Sequence, residues 1–139
     1  MFKKIIVAVD SSDHSYRALD YAKGLAECYN AQIYLVHVFP HTSDLLGGDE
    51  YDKLVARRKG PGQKILNEAR QHLGETSVEV HEELLEGPEA EAIINVAETR
   101  QAGLIIMGTR GRSSLTGLLL GSVSQKVIHH AHCPVMIVR

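Results

Sequence analysis

Ile5-Ile6-Val7-Ala8-Val9 is apolar at every position and stops at Asp10. A strand with one face in water alternates polar with apolar residues. An unbroken apolar run therefore predicts a strand covered on both faces of a parallel sheet. Leu104-Ile105-Ile106-Met107 is of the same kind and stops at Gly108. These two strands should be neighbours at the centre of the sheet. Ile33 to Phe39 and Val135 to Val138 are similar in type, whereas Val78-Glu79-Val80-His81-Glu82 alternates, which exposes one face and predicts an edge strand.

Helical periods fill the intervals. Ala18, Leu19, Ala22, Leu25, Ala26 and Tyr29 form one stripe behind the cap-type residues Ser11-Ser12-Asp13. Gly87-Pro88-Glu89 opens a second helix with Ile93, Ile94 and Ala97 facing inward and its end near Gly103. Val123, Val127, Ile128 and Ala131 mark a last helix that stops before Cys133-Pro134. Between residues 40 and 74, Gly47-Gly48 and Gly60-Pro61-Gly62 predict a mobile loop and a broken helix whose pattern resumes at Gln63 to Leu73. The order β-α-β-α-β-α-β-α-β implies an α/β fold, a single open parallel sheet of five strands with helices on both faces.

Composition agrees with one folded unit over residues 1–139: 44% of the residues are hydrophobic and 23% charged, close to the globular average. The net charge of −2 argues against a general polyanion binder, so no nucleic-acid partner is expected. The apolar run after Met1-Phe2-Lys3-Lys4 is too short for a signal peptide or a membrane span, which points to a cytoplasmic protein without a membrane partner. Cys28 and Cys133 are far apart and belong to no CxxC, so both read as packed thiols.

In an open parallel sheet, ligands bind beyond the carboxyl ends of the strands, where the strand order reverses. Asp10 and Gly108 should therefore flank one crevice. The stretch from Gly108 to Ser122 carries four glycines, Gly108, Gly111, Gly117 and Gly121, which let backbone amides approach a ligand closely. Gly121-Ser122 stands where the last helix begins, so its free N–H groups, the dipole and the hydroxyls of Ser122 and Ser124 suit a phosphate. From Thr99 to Arg139 there are five Lys or Arg side chains and no Asp or Glu, while residues 75–98 hold eight Glu and no Lys or Arg. An anion is drawn to the C-terminal third. The loop is neither a Walker A motif nor GxGxxG.

The spacing Gly108-x2-Gly111-x9-Gly121-Ser122 resembles the ATP-binding signature of the universal stress protein family. Val7-Ala8-Val9-Asp10-Ser11-Ser12 with Ser15 and Arg17-Ala18-Leu19 is similar to that family's opening, His37-Val38 to its second strand, and Cys133-Pro134-Val135 with Val138-Arg139 to its ending. The resemblance implies strand order 3-2-1-4-5, a homodimer and, in the nucleotide-binding branch, ATP or AMP in the crevice. It assigns Asp10 to the ribose or adenosine side and the backbone around Val38 to the adenine edge. Gly108, Gly111, Gly121 and Ser122 would cradle the phosphates, with Arg110, Arg112, Ser113 and Val123 nearby. Ala8, Met107 and Ser124 complete the candidate set. Two positions depart from the family's pattern: Gly103 stands where an acidic residue is common, and Ser11 where glycine is.

Other readings compete at particular residues. Asp10 also suits a helix cap, and Val38 also suits the core. His129-His130-x-His132-Cys133 has the residue types of a metal site, but it lies at the far end of its helix and also suits a solvated terminus, so no metal site is assigned. A phosphorylation-receiver domain would need an acceptor Asp after the third strand and a Lys after the last, and neither is present. No nucleophile, base and orienting acid stand together, so no catalytic residue is assigned. The expected function is a regulatory stress-response protein that binds adenine nucleotide, ATP or AMP, with or without magnesium. The alternatives are a slow ATPase and a dimeric interaction module without nucleotide. Val135 to Val138 would leave an apolar edge bare, which predicts dimerisation through this C-terminal strand.

Overall fold

A computed structural model describes residues 1–40, 48–109 and 120–139. Along them strands and helices alternate strictly: β1 (Lys4–Ala8), α1 (Asp13–Tyr29), β2 (Gln32–Phe39), α2 (Gly48–Leu73), β3 (Val80–Glu86), α3 (Glu89–Arg100), β4 (Leu104–Gly108), α4 (Ser122–His130) and β5 (Val135–Val138). The strands form one parallel sheet of order β3-β2-β1-β4-β5. The two fully apolar runs are neighbours, with Ile5 opposite Leu104 and Val7 opposite Ile106. β3 is an edge as expected, with Glu82 exposed, but it runs from Val80 to Glu86 and takes in only the last three residues of the alternating stretch Val78 to Glu82.

Residues alternate between the two faces because successive side chains on a strand point opposite ways. Ile5, Val7, Val9 and Leu35 pack with Ala18, Leu19, Ala22 and Leu66, so α1 and α2 cover one face. Ile6, Val36, Ile105 and Met107 pack with Ile93 and Val127, so α3 and α4 cover the other. Each of the larger buried aliphatic side chains contributes roughly 1.5 to 3 kcal/mol by leaving water. The chain winds outward from β1 to β3, then crosses back to β4. The order therefore reverses between β1 and β4, and their carboxyl ends diverge around a crevice.

The helix between β2 and β3 differs from the expectation. It runs unbroken from Gly48 to Leu73 with Pro61 inside it. A proline in a helix interior loses one backbone bond. The following turns nevertheless bury Ile65, Leu66, Ala69 and Leu73, which holds the helix in register. Gly62 does not act as a breaker and packs closely on the sheet: a Cβ there would lie 2.7 Å from Leu84 Cδ1 and 3.3 Å from His37 Cδ2. The loop expected at Gly47 lies outside the described residues.

Two side chains assigned to interior stripes are exposed, Tyr29 at 55% and Ile128 at 41%, and so is the Cys28 thiol, which was expected to be packed. Tyr29 lies at the last turn of α1, where its ring meets Phe2 edge-on at 5.3 Å. Cys28 is two residues beyond buried Ala26, about 200° round the helix, and so faces water. Cys133 is partly buried, and loss of water raises its thiol pKa. The departure at Gly103 has a steric reason: a Cβ there would collide with the carbonyl oxygen of Met1.

Candidate functional site

β1 ends in a tight turn that sets Asp10. The Ser12 N–H donates to Asp10 Oδ1 at 2.9 Å, and Ser12 in turn caps α1 by accepting from the Ser15 N–H at 3.2 Å. The helix cap is thus Ser12, and Asp10 braces the turn before it. Between them Ser11 adopts φ 67°, the left-handed region, which is why glycine suits this position.

β2 outruns β1. Its even-numbered residues bond toward β1, with the Gln32 N–H to the Lys3 carbonyl at 2.8 Å and the Val9 N–H to the Val36 carbonyl at 2.9 Å. Its odd-numbered residues bond toward β3, with the Ile33 N–H to the Glu79 carbonyl at 2.9 Å and the Gly87 N–H to the Phe39 carbonyl at 2.7 Å. By this alternation Val38 turns its N–H and C=O toward β1, beyond the last β1–β2 pair, Ala8 opposite Val36. The backbone edge there faces the crevice, while the Val38 side chain is half-buried against the core.

α4 supplies the opposite wall. Gly121 is its N-cap and has no side chain to bond the first N–H groups, and no acidic residue lies in the first turn. Among the described residues nothing caps the amino end of α4, which therefore presents its first N–H donors and the positive dipole end. Ser122 is exposed there and Val123 half-buried. Ser124 is 3% exposed, and its hydroxyl donates to the Gly108 carbonyl at 3.0 Å, which fixes α4 to the end of β4.

These walls enclose a crevice of 370 Å³. Ala8 and Asp10 line it from β1, Val38 from β2, Met107 and Gly108 from β4, and Gly121, Ser122, Val123 and Ser124 from α4. Arg110, Gly111 and Arg112 lie outside the described residues, as does Ser113. The remaining nine members of the candidate set meet in one place.

Three polar crevice residues, Ser15, His37 and Glu89, lie outside the candidate set. His37 Nδ1 is 2.8 Å from the Val9 carbonyl oxygen, and since a carbonyl only accepts, Nδ1 carries the proton. A single polar residue inside the apolar run Ile33 to Phe39 was the available signal. Glu89 gave none, because only the topology shows that α3 starts at the crevice. It keeps much of its surface in water, yet its carboxyl pKa is raised, first by the water lost against the crevice walls and then by the charge of Asp10.

The histidines near the end of α4 lie away from the crevice lining. His132 Nε2 sits 3.2 Å from Glu98 Oε1, and among the described residues no group of three or more His, Cys, Asp or Glu is placed to hold a metal ion. Nor is any helix among the described residues long and apolar enough to cross a membrane.

The model of the universal stress protein family matches residues 1–139. The chain belongs to the universal stress protein family. A universal stress protein from Thermus aquaticus is 40% identical over 139 residues, covering all of both chains. A solved universal stress protein in complex with cAMP is 27% identical with a TM-score of 0.74, covering 99% of this chain and 97% of that one. The universal stress protein of Archaeoglobus fulgidus in complex with dAMP is 26% identical with a TM-score of 0.65, covering the whole of both chains. The five-stranded sheet of order 3-2-1-4-5 is the family's fold.

Proposed function

We propose that the protein binds an adenine nucleotide, ATP or AMP, in the crevice between β1, β2 and β4. The observation that carries this reading is the amino end of α4, uncapped among the described residues, opening on a crevice whose other wall is the backbone edge at Val38, beyond the last β1–β2 pair. The first fits a phosphate; the second offers a donor and an acceptor to a flat base. A volume of 370 Å³ is within the range of small-molecule sites. Two structural relatives described with bound cAMP and dAMP support the adenine assignment.

In this reading Asp10 meets the ribose side, Gly108, Gly121 and Ser122 face the phosphates with Val123 beside them, and Ala8 and Met107 form the apolar floor. Arg110, Gly111 and Arg112 follow Gly108 in sequence and remain assigned to the phosphate side. If magnesium accompanies ATP, Asp10 is the carboxylate placed to approach it. Among the described residues no base stands poised to activate water at the phosphate end, and in this reading the protein acts as a regulatory binder in a stress response and turns ATP over slowly or not at all. Ligand binding then shifts the population of a conformation or an assembly by its differential affinity for the two states.

Calorimetric titration of nucleotide-stripped protein with ATP and magnesium, at fixed salt, tests this. Saturation near one nucleotide per chain is expected; no saturable heat with ATP or AMP would move the chain to a partner-binding role. We also propose a homodimer through β5, an apolar edge strand whose Val135, Met136 and Ile137 are each half-buried. Light scattering should give twice the 15.3 kDa chain mass.

A further inference from the structure

Thr109, the residue after β4, is held in three directions. Its N–H donates to the Val138 carbonyl at 2.8 Å, and its own carbonyl accepts from the Gly121 N–H at 2.8 Å and from the Ser124 hydroxyl at 3.3 Å. These contacts belong to the backbone and to α4. The third contact is different, since Thr109 Oγ1 lies 3.0 Å from Nδ1 of His14, in the first turn of α1. It joins the crevice's α4 wall to the element that follows Asp10.

The approach is close by construction. A Cβ on Gly108 would lie 2.6 Å from His14 Cβ and 3.1 Å from its backbone carbon, so glycine is what lets α1 reach the end of β4. The chemistry of the pair follows from its neighbour. An Arg17 guanidinium nitrogen lies 3.5 Å from the same Nδ1, and a guanidinium can only donate. That leaves Nδ1 as the acceptor, the ring proton on Nε2, and the Thr109 hydroxyl as the donor.

We infer that His14 is a positioning residue for the nucleotide site: by accepting from Thr109 it fixes the Gly108-Thr109 turn, and with it Gly121 and the amino end of α4, relative to Asp10. His14 is not among the residues that line the crevice. Its effect passes through Thr109 to the bond between Thr109 and Gly121, which sets where the α4 donors sit. The inference rests on the nucleotide reading for its consequence but not for its geometry, and the test separates the two.

The experiment combines nucleotide titration with native-state amide exchange on five proteins: wild type, His14→Ala, His14→Asn, Thr109→Val and Thr109→Ser, plus the double variant His14→Ala/Thr109→Val. Loss of one hydrogen bond predicts an affinity drop of about 3- to 10-fold for His14→Ala and for Thr109→Val. The double variant should fall no further than either single one, because both remove the same bond. His14→Asn, which keeps an acceptor, and Thr109→Ser, which keeps the hydroxyl, should recover most of the loss. In the nucleotide-free protein the Gly121 amide should exchange several-fold faster in His14→Ala and Thr109→Val, and at the wild-type rate in His14→Asn.

Unchanged Gly121 exchange in both His14→Ala and Thr109→Val overturns the inference, whether or not nucleotide binds. Independent, multiplying affinity losses overturn it as well. Faster Gly121 exchange together with no nucleotide binding by wild type sustains the positioning role and removes the nucleotide reading. If His14→Ala does not fold, the near-isosteric Thr109→Val carries the same comparison.

Discussion

Ser124 Oγ donates to the Gly108 carbonyl at 3.0 Å, so a hydroxyl that the sequence offers to a phosphate is already engaged with the protein. It lies 3% exposed in the first turn of α4, and its role is to tie that turn to β4. Ser124→Ala should leave the Gly108 carbonyl short of a donor and cost about 1 to 3 kcal/mol of stability in urea unfolding. Ser122→Ala, at the exposed neighbouring position, should leave stability within about 0.5 kcal/mol and reduce nucleotide affinity. The reverse pattern would exchange the roles of the two serines.

Gly121→Val places a branched side chain at the mouth of the α4 amino end. The backbone there has φ −64° and ψ 159°, which any residue adopts, so the fold should survive with unchanged circular dichroism. Nucleotide affinity should fall by about tenfold or more as the phosphate is kept from the N–H groups. Wild-type affinity in this variant would place the phosphate elsewhere.

Glu89 supplies a pH dependence. Its folded-state carboxyl pKa is raised above the ordinary 4.5, by burial and then by Asp10. A raised acid pKa means that the folded state prefers the neutral form. That contribution is complete below the unfolded pKa and is lost as pH rises through the folded one. Glu89→Gln cannot ionise, so its melting temperature should exceed that of wild type at neutral pH and match it at acid pH. Nucleotide binding by wild type should strengthen as pH falls through the raised pKa, and this slope should vanish in the variant. An equal difference in melting temperature at every pH would show that Glu89 does not titrate against Asp10.

Gly62→Val tests the packing of α2. Its Cβ would press on Leu84 Cδ1 at 2.7 Å and on the ring of His37, which lines the crevice. Overpacking of this kind costs about 1 to 3 kcal/mol. The Leu84 terminus can turn aside, but Leu84 stands in β3, so part of the strain should reach His37. A lower melting temperature together with a changed His37 ring resonance is the expected result. Wild-type values for both would mean that α2 shifts freely over the sheet.

The sequence by itself determined the parallel sheet, its two central strands and the place of the crevice. Those follow from local rules: Ile5 to Val9 and Leu104 to Met107 can be covered on both faces only inside such a sheet, and strand ends are where helices leave room. It also marked Asp10, Gly108 and Gly121 through residue type and spacing. Gly60-Pro61-Gly62 misled, because helix propensity is local while Gly62 answers to Leu84 and His37 across the molecule. The direction of the Val38 backbone, the engagement of the Ser124 hydroxyl, the pairing of His14 with Thr109 and the approach of Glu89 to Asp10 were decided by tertiary structure alone. Each depends on distances between segments up to 95 residues apart in the chain. A sequence fixes which groups are present, but the energies of burial, hydrogen bonding and charge depend on what stands a few ångströms away, and only the folded chain sets that.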